Sequence, residues 1–172
     1  MSEETRAFNA RYLSSLTPDR VYRVYLSRDE TFFIRISGQP WSQAVAPAFG
    51  ALGSLILEPM QRRAAAKLRE RCSELDAQDP GLLLKAHKHN FRAAMSDFEQ
   101  SSLDPAGGFA DHGPHYGRWV FKLRREKPMT LQLDTLSDMQ KAHQMLGDAL
   151  GPVHQINVEW SSSKNQFVKR AS

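Results

Sequence analysis

Four histidines offer the first chemistry in this chain. His87 and His89 stand two residues apart, while His112 and His115 sit in a glycine-rich stretch beside Asp111. Imidazole binds zinc and related metals well. On a strand, residues two apart point to one side, and a loop carrying Asp111, His112 and His115 would supply the remaining ligands. Neither pair has HExxH spacing and there is no CxxC pair, so solvated histidines stand beside the metal reading.

The second candidate is a basic strand face. Arg118, Lys122 and Arg124 alternate with Trp119, Phe121 and Leu123. Like charges in a row repel unless something answers them. Asp134 and Glu99 would do so internally, or a phosphate-bearing partner from outside. Lys85, Lys88 and Arg92 would enlarge the patch if their strand lies nearby.

Other chemistries lack their residues. There is no G-x-S-x-G elbow, and Gly50 with Gly53 forms neither GxGxxG nor GxxxxGK[ST]. Cys72 falls on the apolar stripe of an expected helix, where a thiol is inert. The carboxylates Asp29 and Glu30, Asp76 and Asp79, and Asp97 and Glu99 suit turns, caps and strand surfaces better than an acid and base pair. No catalytic residue is assigned, and nothing calls for a cofactor.

Composition bounds the setting. A chain of 172 residues with 41% hydrophobic and 24% charged content fits one globular domain. One cysteine cannot form an internal disulfide, and Met1-Ser-Glu-Glu lacks the features of a signal peptide, so a cytoplasmic protein is expected. A net charge of +4 suits a polyanionic partner without singling out nucleic acid, which is not favoured. The apolar stretch 41–57, with Trp41, Pro47, Gly50 and Gly53, is shorter than a spanning helix requires. Its small residues would suit a buried helix, a homodimer seam or peripheral contact with a membrane.

The elements that must position these residues follow from periodicity. Phe8, Tyr12, Leu13 and Leu16 have helical spacing, predicting a helix over 1–17. Tyr22, Val24 and Leu26, then Phe32, Ile34 and Ile36 after a turn at 28–30, predict a hairpin with those six residues on one face and Arg23 and Arg35 on the other. A helical insertion covers 41–88, with one run of small residues over 44–57 and another opened by Pro59. Asp79-Pro80 caps a short helix; Phe91 and Met95 suggest a strand, with 97–103 as its partner. Residues 104–117 make a long loop, and 118–125 with 129–133 form a second hairpin. Ser137 with Gln140 makes a capping box for a helix that ends at Gly151-Pro152. Ile156, Val158 and Trp160 give a last strand, and 161–172 is a polar, fraying tail.

The stretch His89-Asn-Phe-Arg-Ala-Ala-Met-Ser-Asp-Phe leading to Leu103-Asp-Pro, with the hairpin and capped helix after it, resembles the second half of bacterial pleckstrin-homology-like and GRAM-like domains. The long helical block and the strand after the helix depart from that pattern, and no binding residue carries over.

The expectation is therefore a single α+β domain over 1–160, with a mainly antiparallel sheet of six to seven strands, a helical insertion after the first hairpin and a capped C-terminal helix. It is expected to be a non-enzymatic binding or scaffold domain for a protein or an anionic surface. The alternative is a metal-dependent enzyme using the His87, His89, His112 and His115 cluster.

Overall fold

The computed structural model describes residues 6–13, 20–36, 50–107 and 115–170. Strands β1 (Ala7–Tyr12), β2 (Arg20–Leu26) and β3 (Glu30–Arg35) lead into the long helix α1 (Gly50–Asp76) and the short α2 (Pro80–Leu83). Strands β4 (Phe91–Ala94), β5 (Phe98–Pro105), β6 (Gly117–Leu123) and β7 (Met129–Leu133) precede helix α3 (Leu136–Leu150). The chain ends in β8 (His154–Ile156), β9 (Val158–Ser161) and β10 (Gln166–Lys169). Eight strands form one sheet in the order β4-β3-β2-β1-β7-β6-β5-β8, and β9 with β10 forms a separate hairpin. Every pair in the large sheet is antiparallel except β5 with β8. The α+β class and the single domain stand as expected.

The sheet coils. Phe33 on β3 and Trp119 on β6 lie four strands apart, about 19 Å in a flat sheet, yet their ring centroids are 5.8 Å apart. The first and second halves of the sheet must face one another across an aromatic core. Phe33 also stacks on Phe91 and Phe121, and Phe8 and Phe98 meet Trp119. Helix α3 closes one side of this core with Met139, Ala142, Met145, Leu146 and Leu150.

Several local expectations are corrected. Of the helix expected over 1–17, Ala7–Tyr12 is strand β1 instead, while 1–5 and 14–17 lie outside the described residues: Ala7, Phe8, Ala10 and Arg11 are all buried, because both faces of this central strand are covered. The first hairpin turns on two residues, Arg28 and Asp29, with Ser27 N–H donating to Glu30 O at 2.9 Å. A loop one residue shorter than expected slips the register by one and exchanges the faces of β3. Phe33 and Arg35 therefore share the inner face with Val24 and Tyr22, while Ile34 and Ile36 turn outward to Tyr25, Cys72 and Leu75. Strand 97–103 does not pair with β4; it is the body of β5 and pairs with β6 and β8.

The insertion forms one helix through Pro59 where two runs were expected, and residues 41–49 lie outside the described residues. The cap of α3 is Thr135, whose hydroxyl accepts from Asp138 N–H and donates to the Asp138 carboxylate, so the box begins two residues before Ser137. Gly151 ends the helix as expected, at φ +52. The tail does not fray through 170, since Gln166–Lys169 pairs with β9 and Phe167 joins the core.

Two polar networks fasten the outer faces. Arg23 makes a two-pronged contact with Asp76 at 2.7 and 3.0 Å, Tyr25 Oη donates to the same carboxylate at 2.8 Å, and Arg23 Nη1 donates to Asn9 Oδ1. Burial opposes the charge on Arg23, and the hydrogen bond and charge of Asp76 outweigh it, leaving the guanidinium pKa raised. On β1, Asn9 N–H donates to Asp138 and Arg11 pairs with Asp134 at 2.6 Å, tying α3 to the sheet.

Candidate functional site

The histidine pair and the misread arginine meet at one end of the coiled sheet. After α2, residues 84–86 form a 3₁₀ turn, and His87-Lys88-His89-Asn90 makes a tight turn closed by Asn90 N–H to His87 O at 2.9 Å. Asn90 fixes this turn to its surroundings: its Oδ1 accepts from Arg35 N–H at 2.8 Å and its Nδ2 donates to Leu83 O at 2.7 Å. The turn is thereby stitched to the end of β3. Arg20 begins the neighbouring strand, its guanidinium over the Tyr12 ring at 5.9 Å.

Five basic side chains gather here: Arg20, Arg35, His87, Lys88 and His89. Arg35 Nη1 lies 3.0 Å from His87 Nε2, and the two imidazoles are 5.2 Å apart. Desolvation, and then the charges of Arg20, Lys88, His87 and Arg35, push the His89 pKa down. Among the described residues no carboxylate forms an ion pair with Arg20, Arg35 or Lys88.

His87 itself is over-committed. Its Nδ1 accepts from His89 N–H at 3.1 Å while its Nε2 faces the Arg35 guanidinium. A neutral imidazole has one lone pair in the ring plane to offer and one N–H to donate. It cannot accept from both donors, so in either tautomer one N–H is aimed at another. An anion accepting from Arg35 and His87 together relieves that conflict.

The same geometry bears on the metal reading. With both nitrogens so engaged, His87 has no free lone pair for a metal, and a guanidinium at 3.0 Å repels a cation. Among the described residues no three histidine, cysteine, aspartate or glutamate side chains gather as a metal site. Asp111 and His112 lie outside the described residues. His115 Nδ1 contacts Gly117 O at 3.0 Å, at the start of β6.

The basic strand face divides. Lys122 is answered by Glu99 at 2.6 Å, one of the two internal partners expected for the row, whereas the other, Asp134, is taken by Arg11. Arg118 sits between Asp104 and Gln132 on the flanking strands. Arg124 lies past the end of β6, donates to Ser96 O at 3.3 Å, and lines a cleft of about 420 Å³ with Arg92, Arg125, Asp97 and Glu126. Arg92 does lie nearby, but it is paired with Glu30 at 3.1 Å. Acids therefore accompany the cations of this cleft, unlike those of the Arg35 cluster.

One Ser-His contact lies elsewhere. Ser101 Oγ is 2.7 Å from His154 Nδ1 and accepts from Trp119 Nε1 at 2.8 Å, with all three residues buried. The hydroxyl can still donate to Nδ1 or accept from it, and Nε2 has no hydrogen-bond partner among the described residues. Burial, and then the charge of His143, lower the His154 pKa to about 4, with Asp104 pulling weakly the other way. Ser101 is buried, and the contact holds β8 to β5.

Sequence reading found His87 and His89 but missed Arg20 and Arg35 as their companions. The signal was Arg35 itself, a charge ending an otherwise apolar strand beside a histidine-rich turn, and it was hidden by the one-residue slip in register. Compared with known proteins, the chain matches no protein-family profile, no curated protein and no solved structure.

Proposed function

We propose that this chain is a non-enzymatic binding domain whose ligand presents a phosphate-type anion to Arg20, Arg35, His87, Lys88 and His89. The observation that carries the proposal is the single lone pair of His87 set between two donors, inside a group of cations that no carboxylate among the described residues answers. An anion supplies both the missing acceptor and the missing charge. The pleckstrin-homology-like reading draws support from two antiparallel meanders, β1 to β4 and β5 to β7, followed directly by α3. A ligand displayed on an anionic surface fits the position of the cluster, at strand ends and in an exposed turn.

The test is calorimetric titration of the full chain with inorganic pyrophosphate and with vesicles carrying phosphate-rich headgroups. Each charge-assisted hydrogen bond contributes about 1.5–3 kcal/mol, so Arg35→Ala is expected to weaken binding at least about tenfold. Arg124→Ala, at the cleft where acids accompany the cations, should leave affinity unchanged. Equal affinity in the parent and in an Arg20→Ala/Arg35→Ala chain would end the proposal.

A further inference from the structure

Leu82 stands out from the surface. It is 76% exposed, whereas the other exposed large apolar side chains among the described residues lie between 37% and 42%. Single surface leucines are ordinary, but this one is held outward by its neighbours. Asp79 Oδ1 accepts from Gly81 N–H at 2.7 Å and from Leu82 N–H at 3.3 Å, which fixes the first turn of α2. Gly81 leaves room for that cap, since a Cβ there would lie 2.8 Å from Asp79 Oδ1. Leu83 is buried, so Leu82, about 100° further back around the helix, is turned out.

The same short segment carries half of the Arg35 cluster. Asn90 bonds both Leu83 O and Arg35 N–H, so α2 and the end of β3 are joined through one side chain. The five residues from Leu82 to His87, helical for most of the way, rise about 8–10 Å. Lys85 and Lys88 lie exposed along this segment. Among the described residues no carboxylate pairs with Arg20, Arg35, Lys85 or Lys88. The acids that precede the segment are engaged: Glu74 with Arg71, Asp76 with Arg23, and Asp79 in the cap. An exposed leucine therefore neighbours cations that nothing acidic answers.

We propose that this end of the domain docks on an anionic bilayer, with Leu82 at the acyl boundary and Arg20, Arg35, Lys85 and Lys88 among the headgroup phosphates. The inference rests on the anion reading above and names the surface that presents the anion. Charge and apolarity select the occupant together. A soluble anion satisfies the cations and leaves Leu82 in water. A second copy meeting through Leu82 sets four cations against the same four. An anionic leaflet offers phosphates at its surface and hydrocarbon just beneath them. Burying one leucine strengthens association about ten- to a hundredfold, so the contact is reversible.

The experiment uses the full chain, phosphatidylcholine vesicles with and without phosphatidic acid, and pyrophosphate in solution. The parent should co-sediment with the phosphatidic acid vesicles alone. Leu82→Ser should weaken that binding at least about tenfold, with its pyrophosphate affinity and thermal unfolding curve unchanged. Arg20→Ala/Arg35→Ala should weaken the binding of both. An environment-sensitive fluorophore on Leu82→Cys, in a Cys72→Ser background, should shift to the blue on the anionic vesicles. Equal vesicle binding by Leu82→Ser and the parent, or no shift at position 82, overturns the docking. A parent that binds pyrophosphate but no vesicle overturns it as well, and leaves the anion reading standing. A chain that binds neither loses both. A shift that grows with protein concentration in the absence of vesicles assigns Leu82 to a second copy and removes the bilayer.

Discussion

The rings of Phe33 and Trp119 stack at 5.8 Å and 15°, although their strands are separated by three others in the sheet. That contact forms only when the sheet coils, so it reports the tertiary fold directly. Trp119 is fully buried and its Nε1 donates to Ser101, which in turn holds His154. Trp119→Ala removes the central ring of the core and leaves a cavity, and is expected to cost about 3–5 kcal/mol. Trp119→Phe keeps most of the volume and loses the hydrogen bond, and should cost less. Urea unfolding followed by circular dichroism orders the two; equal costs would mean that the halves of the sheet do not depend on this stack.

Arg23 and Asp76 decide how firmly α1 is held. The pair is partly buried, with side-chain exposures of 9% and 22%, and Tyr25 shares the carboxylate. Removing one partner strands the other, which costs about 3–5 kcal/mol for a buried pair and less here because Asp76 reaches solvent. Arg23→Ala should therefore destabilise the chain by about 2 kcal/mol and speed amide exchange at 72–76 before it affects β6 and β7. Uniform acceleration across all strands would show that the pair stabilises the whole sheet instead.

These two contacts also mark what the sequence made legible. The alternation of Trp119, Phe121 and Leu123 named the inward face of β6 correctly, because one face of that strand is polar. Strand β3 gave no such contrast: Phe32, Phe33, Ile34 and Ile36 are apolar on both sides, since α1 and α2 cover the outer face as the coiled sheet covers the inner one. Only the turn length could set the register, and a two-residue loop at Arg28 and Asp29 reversed it. The same double burial made β1 read as a helix. His87 and His89 were visible as chemistry, but their partner Arg35 is brought by strand pairing and by Asn90, contacts that spacing along the chain does not encode.

His154 makes the fold sensitive to acid. Its imidazole is buried against Ser101, and the folded pKa of about 4 lies below its ordinary 6.5. The neutral ring is the one the fold accepts, so its contribution is fully present above pH 6.5 and is lost as pH falls from 6.5 toward 4. Allowing for solvent screening, the loss is about 2 kcal/mol. Asp138 works in the opposite sense, because burial raises its pKa and its protonation favours the folded chain at lower pH. The urea midpoint should fall between pH 7.5 and 5, and His154→Gln should flatten that slope. A midpoint equally steep in the variant would place the titration elsewhere.

Anion capture by the Arg35 cluster should depend on pH through His89. Desolvation and the charges of Arg20, Lys88, His87 and Arg35 hold this imidazole below 6.5, so it is neutral at pH 7 in the free chain. A bound anion removes the repulsion that keeps the proton away and raises the pKa of the ring. Binding therefore takes up a proton at His89, and relative to a chain without this histidine affinity should rise as pH falls from 7.5. The group is exposed, so added salt should reduce both the affinity and its pH slope. Titrations with pyrophosphate in two buffers of different ionisation enthalpy measure the proton uptake directly. His89→Gln should remove the histidine's share of the slope and leave that of pyrophosphate, which itself takes up a proton in this range, while Arg20 and Arg35 still bind. If the parent and His89→Gln show the same pH slope, His89 is not the titrating group and the anion lies outside its reach.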